Sequence, residues 1–372
     1  MKRIAAATAF FAVLLSLFLP TAVNAAADEV TAPQVDAQGA ILIEAQSRGT
    51  VLEKNSRERL PMASTTKIMT ALVAIENGEL DEIVKIPDIA AGVEGSSIYL
   101  KPGEELTLRQ LLYAVLLESA NDAATAVAVT VGGSVEEFAH MMNERAEALG
   151  LSDTHFTNPH GLDDEEHYTT ASDLALIAAA ALENETFAEI VSTYKTTIPG
   201  SDYPRLLVNH NRLLKTYGGA IGVKTGYTKR CGRCLVSAAE RDGVRMIAVT
   251  LSDPSDWKDH AAMLDYGFSL YSGYTVCDDD GLSFDIPCSG GDRDCVRAVT
   301  RQSCTVTALK NKRMTMTVEA RRFLLAPVRE GDYVGRVIVR IDGKEAASLD
   351  LYAAEDCRER RGSTDLFDKI FN

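Results

Sequence analysis

Apolar positions recur at two different periods along this 372-residue chain, and the change of period divides it. Ala40-Ile41-Leu42-Ile43-Glu44 and Thr50-Val51-Leu52-Glu53 are short β-type runs on either side of Ser47-Arg48-Gly49, which predicts a hairpin. Apolar residues then return at every third or fourth position over Ser64–Asn77, Leu108–Leu117, Ala120–Val131, Val135–Leu149 and Ala171–Leu182, the spacing of helices with one buried face. The pattern becomes β again from Lys224 through Leu235-Val236-Ser237-Ala238 and over Arg245–Leu251, and a closing helix is predicted from Trp257 to Tyr271. Hairpin, helices and returning strands imply an α+β unit over 35–273, an antiparallel sheet flanked by helices. From Tyr274 onward, short alternating runs at Thr305–Leu309, Met314–Glu319, Val334–Ile341 and Ala346–Tyr352 predict a small all-β sandwich over 274–357.

The two ends carry different signals. Lys2-Arg3, an apolar run from Ile4 to Leu19, and Val23-Asn24-Ala25 before Ala26 have the form of a secretory signal over 1–25. The mature chain is therefore expected outside the cytoplasm, at the cell wall or the outer face of the cytoplasmic membrane. No later stretch approaches the roughly 20 apolar residues that span a bilayer. The tail, 358–372, sets Leu366, Phe367, Ile370 and Phe371 at helical spacing after Arg358-Glu359-Arg360-Arg361, which suits either a membrane-surface helix or a frayed terminus. With 38 Lys+Arg against 53 Asp+Glu, the formal net charge is −15, which argues against nucleic acid as a partner.

Seven cysteines remain to be placed. Cys231-Gly-Arg-Cys234 has metal-ligand spacing, but it falls in a strand and lacks a second pair, so no metal site is expected. The cysteines from Cys277 to Cys304 suit one or two disulfides in the second unit, and the odd count leaves a thiol, for which Cys234 as a small buried apolar residue is the choice. His160, between Pro159 and Gly161, invites a Ser-His-Asp reading, but no G-x-S-x-G elbow accompanies a candidate serine. A turn or supporting role suits it better.

Three short strings carry the chemistry. Ser64-Thr-Thr-Lys67 follows Pro61 and opens a helical pattern, so Ser64 is expected at a helix N-terminus with its N–H free and Lys67 one turn away on the same face. A lysine desolvated beside a second cation loses its proton easily and can serve as the base that activates the serine; Lys224 is a candidate for that second cation. Ser119-Ala-Asn121 lies between two helical runs, where Ser119 can relay a proton to a leaving nitrogen and Asn121 can bond a substrate amide while holding Lys67. Lys224-Thr225-Gly226 opens a strand: Lys224 and Thr225 offer a charge and a hydroxyl to a carboxylate, Gly226 clears space for a substrate edge, and the Tyr227 N–H joins that of Ser64 as an oxyanion hole. Each string alone is common. Their order along one chain is not.

With these strings the chain resembles the penicillin-recognising serine enzymes, in particular the low-molecular-mass penicillin-binding proteins that are D-alanyl-D-alanine carboxypeptidases. Glu94-Gly95-Ser96-Ser97-Ile98-Tyr99-Leu100, Phe156-Thr157-Asn158-Pro159-His160-Gly161-Leu162 and Ala326-Pro327-Val328-Arg329-Glu330-Gly331-Asp332 extend the likeness from about Gln34 to the C-terminus. The resemblance implies a transpeptidase-like domain, a β-sandwich behind it, peptidoglycan pentapeptide stems as substrate, β-lactams as covalent inhibitors, and no metal or organic cofactor. It also implies that the tail is a shortened membrane-contacting helix. One departure stands out: where many relatives carry an arginine for the substrate carboxylate, Ser255-Asp256-Trp257-Lys258 has Asp256, leaving Lys258 or Arg230 as substitutes. A D,D-endopeptidase would use the same residues. A serine β-lactamase would bring an E-x-x-L-N loop, approximated here only by Glu183-Asn184-Glu185, and a non-enzymatic sensor would add membrane spans and an output domain.

Overall fold

Strand β1 (Gly39–Glu44) is buried along its whole length because both faces of its sheet are covered. The computed structural model describes residues 31–360. The expected signal and most of the expected tail helix therefore lie outside the described residues. With β2 (Gly49–Lys54), β7 (Ala220–Thr228), β8 (Gly232–Arg241) and β9 (Val244–Leu251), β1 forms a five-stranded antiparallel sheet of order β2-β1-β9-β8-β7. The pleat sends Ala40 and Leu42 to one face, where they join Met246, Ala248, and Met263 and Leu264 of the closing helix α8 (Asp256–Leu270). Ile41 and Ile43 point the other way, into a larger core with Val236, Ile247 and Val249.

That larger core is built by α1 (Lys67–Asn77), α2 (Leu108–Leu117), α3 (Asn121–Gly132), α4 (Val135–Ala148), α5 (Ala171–Leu182) and α6 (Glu185–Ser192). Four of these helices start where short polar side chains take up free N–H groups: Thr107 with Gln110 forms a capping box on α2, and Ser134, Thr170 and Asn184 cap α4, α5 and α6. Alanines line the buried faces of α3 and α5, so these helices pack closely. Two short hairpins, β3 (Ile83–Lys85) with β4 (Glu105–Thr107) and β5 (Lys195–Ile198) with β6 (Arg205–Val208), and the single turn α7 (Leu213–Thr216) complete this unit, 31–271. They and α6 are too short or too polar to show a period in the sequence. No helix among the described residues is long and apolar enough to cross a membrane.

The second unit, from Ser272, holds a six-stranded sheet of order β14-β16-β17-β12-β11-β15 and a ribbon of β10 with β13. Its strands are β10 (Tyr271–Cys277), β11 (Ser283–Ser289), β12 (Cys295–Val299), β13 (Cys304–Leu309), β14 (Met314–Ala320), β15 (Leu324–Leu325), β16 (Tyr333–Ile341) and β17 (Lys344–Ala353). Val296, Ala298, Val337, Leu349 and Leu351 form its core. The strands β11 and β12 escape sequence reading because charged and cysteine residues dilute their alternation.

Two expectations are corrected. Helix α1 begins at Lys67, and Ser64 sits in a separate 3₁₀ turn, Ala63–Thr66. The Thr65 and Thr66 hydroxyls donate to the carbonyls of Met62 and Ala63 at 2.6 and 2.8 Å, which tightens the turn. All seven cysteines are thiols, including those expected to be paired.

Arg205 ties the β5–β6 hairpin to the loop before β4. Its guanidinium forks onto Glu104, with Nη2 2.9 Å from Oε2, and its Nε donates to the Ile98 carbonyl at 2.9 Å. Burial alone would raise the Glu104 carboxyl, but the hydrogen bonds from Arg205, the Lys101 N–H and Ser201 hold it down at about 2. A carboxylate depressed in the folded state stabilises above its unfolded pKa and loses that contribution as pH falls through the folded one. Glu104→Gln should therefore cost about 2–3 kcal/mol at pH 7 and flatten the acid loss of stability between about pH 4.5 and pH 2, as read by denaturant unfolding across that range.

Candidate active site

The nucleophile's turn is held from two sides by glycines. Gly161, at φ +85°, packs so close to the Ala63 carbonyl that no side chain fits, and a β-carbon on Gly226 would lie 3.0 Å from the Ser64 nitrogen. Gly226 thus lets β7 run against the turn itself, in addition to any space it leaves for substrate. Ala63 is in the left-handed region at φ 49°, a strained conformation that the threonine hydroxyls and the glycine contacts fix in place.

Lys67 is buried, and its ammonium nitrogen has three neighbours: Asn121 Oδ1 at 2.7 Å, the His160 carbonyl at 2.6 Å and Ser64 Oγ at 3.1 Å. Burial, and next the nearby Lys224 charge, hold its pKa well below a lysine's usual 10.5, with Asp122 opposing. A neutral amine has two N–H donors and one lone pair. Asn121 Oδ1 and the His160 carbonyl only accept, so they take both donors, and the lone pair is left for the one neighbour that has a proton to give, the Ser64 hydroxyl.

Asn121 opens α3 and is held behind this amine by both ends of its amide. Its Nδ2 donates to the Glu94 carbonyl at 2.5 Å, and Gly95 leaves the room for that contact. One N–H at most remains for a substrate amide. Ser119 stands at φ 60° between α2 and α3, and its buried Oγ has no hydrogen-bond partner among the described residues. Such an orphaned hydroxyl is costly unless something arrives to use it. His160 contributes its carbonyl, while burial, followed by the Lys67 and His167 charges, lowers its ring to about 3.

A cleft of about 620 Å³ opens on this turn. Ser64, Ser119, Thr225, Gly226 and Tyr227 line it; Lys67, Asn121 and Lys224 stand behind the wall. Lys224 is 1% exposed and donates to the Thr225 carbonyl at 2.9 Å, and burial lowers it to about 7. Lys224 thus stands beside Lys67 as the expected second cation, buried behind the Thr225 strand. The cations that do face the cleft are Arg212 and Arg233. Arg233 forks onto Asp256 through Nε and Nη2 at 3.0 and 2.9 Å, and both guanidiniums flank Trp257, 5.8 and 5.9 Å from its ring centre. Trp257 Nε1 is buried without a partner among the described residues.

The sequence points to Lys258 and Arg230 beside Asp256, and neither lines the cleft. Arg233 escapes that reading, although the hairpin contains the signal: pairing β7 with β8 sets Arg233 directly across from Tyr227. Cys231 Sγ donates to Asp163 Oδ1 at 3.4 Å and Cys234 Sγ to the Pro61 carbonyl at 3.9 Å, so both cysteines are packed against the base of the site. The loop compared with E-x-x-L-N is used elsewhere. Glu183 pairs with Arg48 at the surface, and Asn184 caps α6.

Comparison with known proteins places the whole chain in one family. Residues 26–255 match the family model described as D-alanyl-D-alanine carboxypeptidase, and residues 279–359 match that of the penicillin-binding protein 5 C-terminal domain. The chain is 33% identical to the D-alanyl-D-alanine carboxypeptidase DacF of Bacillus subtilis, over 96% of this chain and 95% of that protein. It is 32% identical to DacC of Escherichia coli, over 96% of this chain and 92% of the relative. Among solved structures, penicillin-binding protein 5 of Haemophilus influenzae superposes with a TM-score of 0.64 at 28% identity, covering 89% of this chain and all of the other. The carboxypeptidase DacD of Francisella tularensis gives 0.64 at 27%, covering 91% and 98%.

Proposed function

The chain belongs to the D-alanyl-D-alanine carboxypeptidase family of low-molecular-mass penicillin-binding proteins, and on that premise we propose that Ser64 removes the terminal D-Ala of peptidoglycan stem peptides through an acyl-enzyme. The observation that carries this reading is the hydrogen-bond arithmetic at Lys67, which leaves the lone pair to Ser64. Ser64 Oγ gives its proton to Lys67 as it attacks the penultimate carbonyl, and the oxyanion is received by the Ser64 and Tyr227 N–H groups. The C–N bond then breaks, and the proton passes from Lys67 through the unpartnered Ser119 hydroxyl to the departing D-Ala nitrogen. Water enters the vacated space, Lys67 takes its proton, and the ester is hydrolysed. Asn121 positions Lys67 and offers its remaining N–H to the substrate amide.

Recognition of the carboxylate falls to Arg233 and Thr225 at the cleft surface, with Gly226 giving the substrate an edge to lie on. Lys224 acts from behind the wall, where its charge depresses the Lys67 pKa. Extracytoplasmic action on the wall and β-lactam acylation of Ser64 accord with the family. Stable acylation is further favoured because Asp256, the one carboxylate among the described cleft residues, is committed to Arg233.

A diacetyl-Lys-D-Ala-D-Ala peptide should release D-Ala, and a labelled penicillin should give one adduct that Ser64→Ala abolishes in intact-mass spectra. Lys67→Arg keeps a positive charge but not a base, so it should lose acylation by a factor of about 100 or more in a protein that still melts cooperatively. Because the neutral amine is the active form, wild-type acylation should rise as pH increases through the depressed Lys67 pKa. Acylation that survives in Lys67→Arg contradicts the base.

Arg233→Ala should lower kcat/KM for a peptide acid by about 3- to 10-fold and leave its C-terminal amide nearly unchanged, because an exposed guanidinium already paired with Asp256 is worth only about 1 kcal/mol to a second carboxylate. Steady-state kinetics on the acid and amide pair decides it. Equal losses on both would mean that Arg233 supports Asp256 and does not bind substrate.

A further inference from the structure

Cys288 lies near the end of β11 and Cys357 follows β17, far apart in sequence, yet both are buried in one core. Cys357 is the side chain that acts most directly on the Cys288 thiol, so the two cysteines are neighbours within this core. The backbone around them is pinned. Val328 and Cys357 exchange N–H···O bonds of 2.8 and 2.9 Å, the Ala326 N–H donates to the Ser289 carbonyl at 3.0 Å, and the Asp292 N–H donates to the Arg358 carbonyl at 2.8 Å. Cys357 Sγ sits so close over Gly291 that a side chain at 291 would strike it, and it faces the Arg293 carbonyl at 3.8 Å. The 288–293 turn is therefore shaped around the sulfur of Cys357.

We infer that Cys288 and Cys357 are the site of a disulfide that closes the second unit. Nearly every strand of that unit, β12 through β17, lies in the loop such a bond would close, so its main effect would be to restrict the unfolded chain. It would also fasten the origin of the tail, residue 358 onward, to β11. The chemistry is exchange with a disulfide oxidant, a small molecule or an oxidised protein dithiol. The thiolate of one cysteine attacks the oxidant's S–S bond, a mixed disulfide forms as one thiol leaves, and the second cysteine displaces the other half. Two protein thiols become one S–S bond, and the oxidant is reduced to two thiols. Burial first, and then the Cys357 thiol, raise Cys288 to about 11, so exchange is slow at neutral pH and faster as pH rises.

Three other cysteines of the unit compete. Cys304 lies near Cys277 on the neighbouring strand, Cys277 Sγ donates to the Gln302 carbonyl at 3.3 Å, and Cys295 is exposed opposite Pro287. Peptide mapping of the full chain separates them. The protein is incubated with oxidised glutathione, blocked with N-ethylmaleimide in acid, digested without reduction and sequenced by mass spectrometry. A peptide joining Cys288 to Cys357 is expected, lost on reduction and absent from Cys288→Ser. Alkylated Cys288 and Cys357 in the oxidised wild type, or either one joined to Cys277, Cys295 or Cys304, would overturn the inference. The oxidised wild type should melt at least about 10 °C above the reduced one in the transition of the second unit, and identical melting would overturn the closing role. Both measurements use the unmutated protein, so they decide the matter even where a Cys288→Ser chain fails to fold.

Discussion

The site depends on keeping one amine, that of Lys67, out of water and without a full proton complement. Burying an ammonium costs several kcal/mol unless it is paired with a carboxylate, and among the described residues no carboxylate accepts from Lys67. It is given two neutral acceptors and a cationic neighbour instead, and these favour the free base. Much of the surrounding structure serves that choice. Gly95 admits Asn121 to the Glu94 carbonyl, so Asn121 Oδ1 is aimed at Lys67; Asn158 Oδ1 accepts from the Gly161 N–H at 2.7 Å, which sets the turn presenting the His160 carbonyl. Gly161 then abuts the Ala63 carbonyl, so the turn that positions the base also positions the nucleophile.

Two layers of positive charge follow from this. The lysines lie behind the wall, where loss of solvent changes their protonation and little substrate charge reaches them. The arginines line the cleft, where they stay charged at any ordinary pH and present a planar fork. Asp256 belongs to the second layer: it orients Arg233, and both Arg233 and Arg212 approach the Trp257 ring. An acidic residue at a position where relatives carry an arginine is thereby compatible with binding an anion.

Much of this is legible in the sequence. Helices such as 108–117 and 171–182 are long and strongly periodic, and the first two strings fall at element junctions that periodicity locates; the third, expected to open a strand, lies in the middle of β7 because the strand already begins at Ala220. Apolar spacing puts Ser64 on a helix because it does not distinguish an α turn from a 3₁₀ turn tightened by two threonine hydroxyls. Arg233 goes unseen because its role comes from cross-strand register, and the carbonyl of His160 is invisible because backbone groups carry no residue signature. The depth of Lys224 is not readable from the sequence because it depends on the close approach of β7 to Ser64, which only the packing reveals.

The most direct measurement is the titration of Lys67 itself, by NMR of selectively labelled lysine side chains in the full chain, with the resonance assigned by comparison with Lys67→Arg. The account predicts a titration well below 10.5 that moves upward in Lys224→Met at pH values where Lys224 is charged, below about 7. A Lys67 that titrates at the pH of a solvent-exposed lysine, indifferent to Lys224, would contradict it.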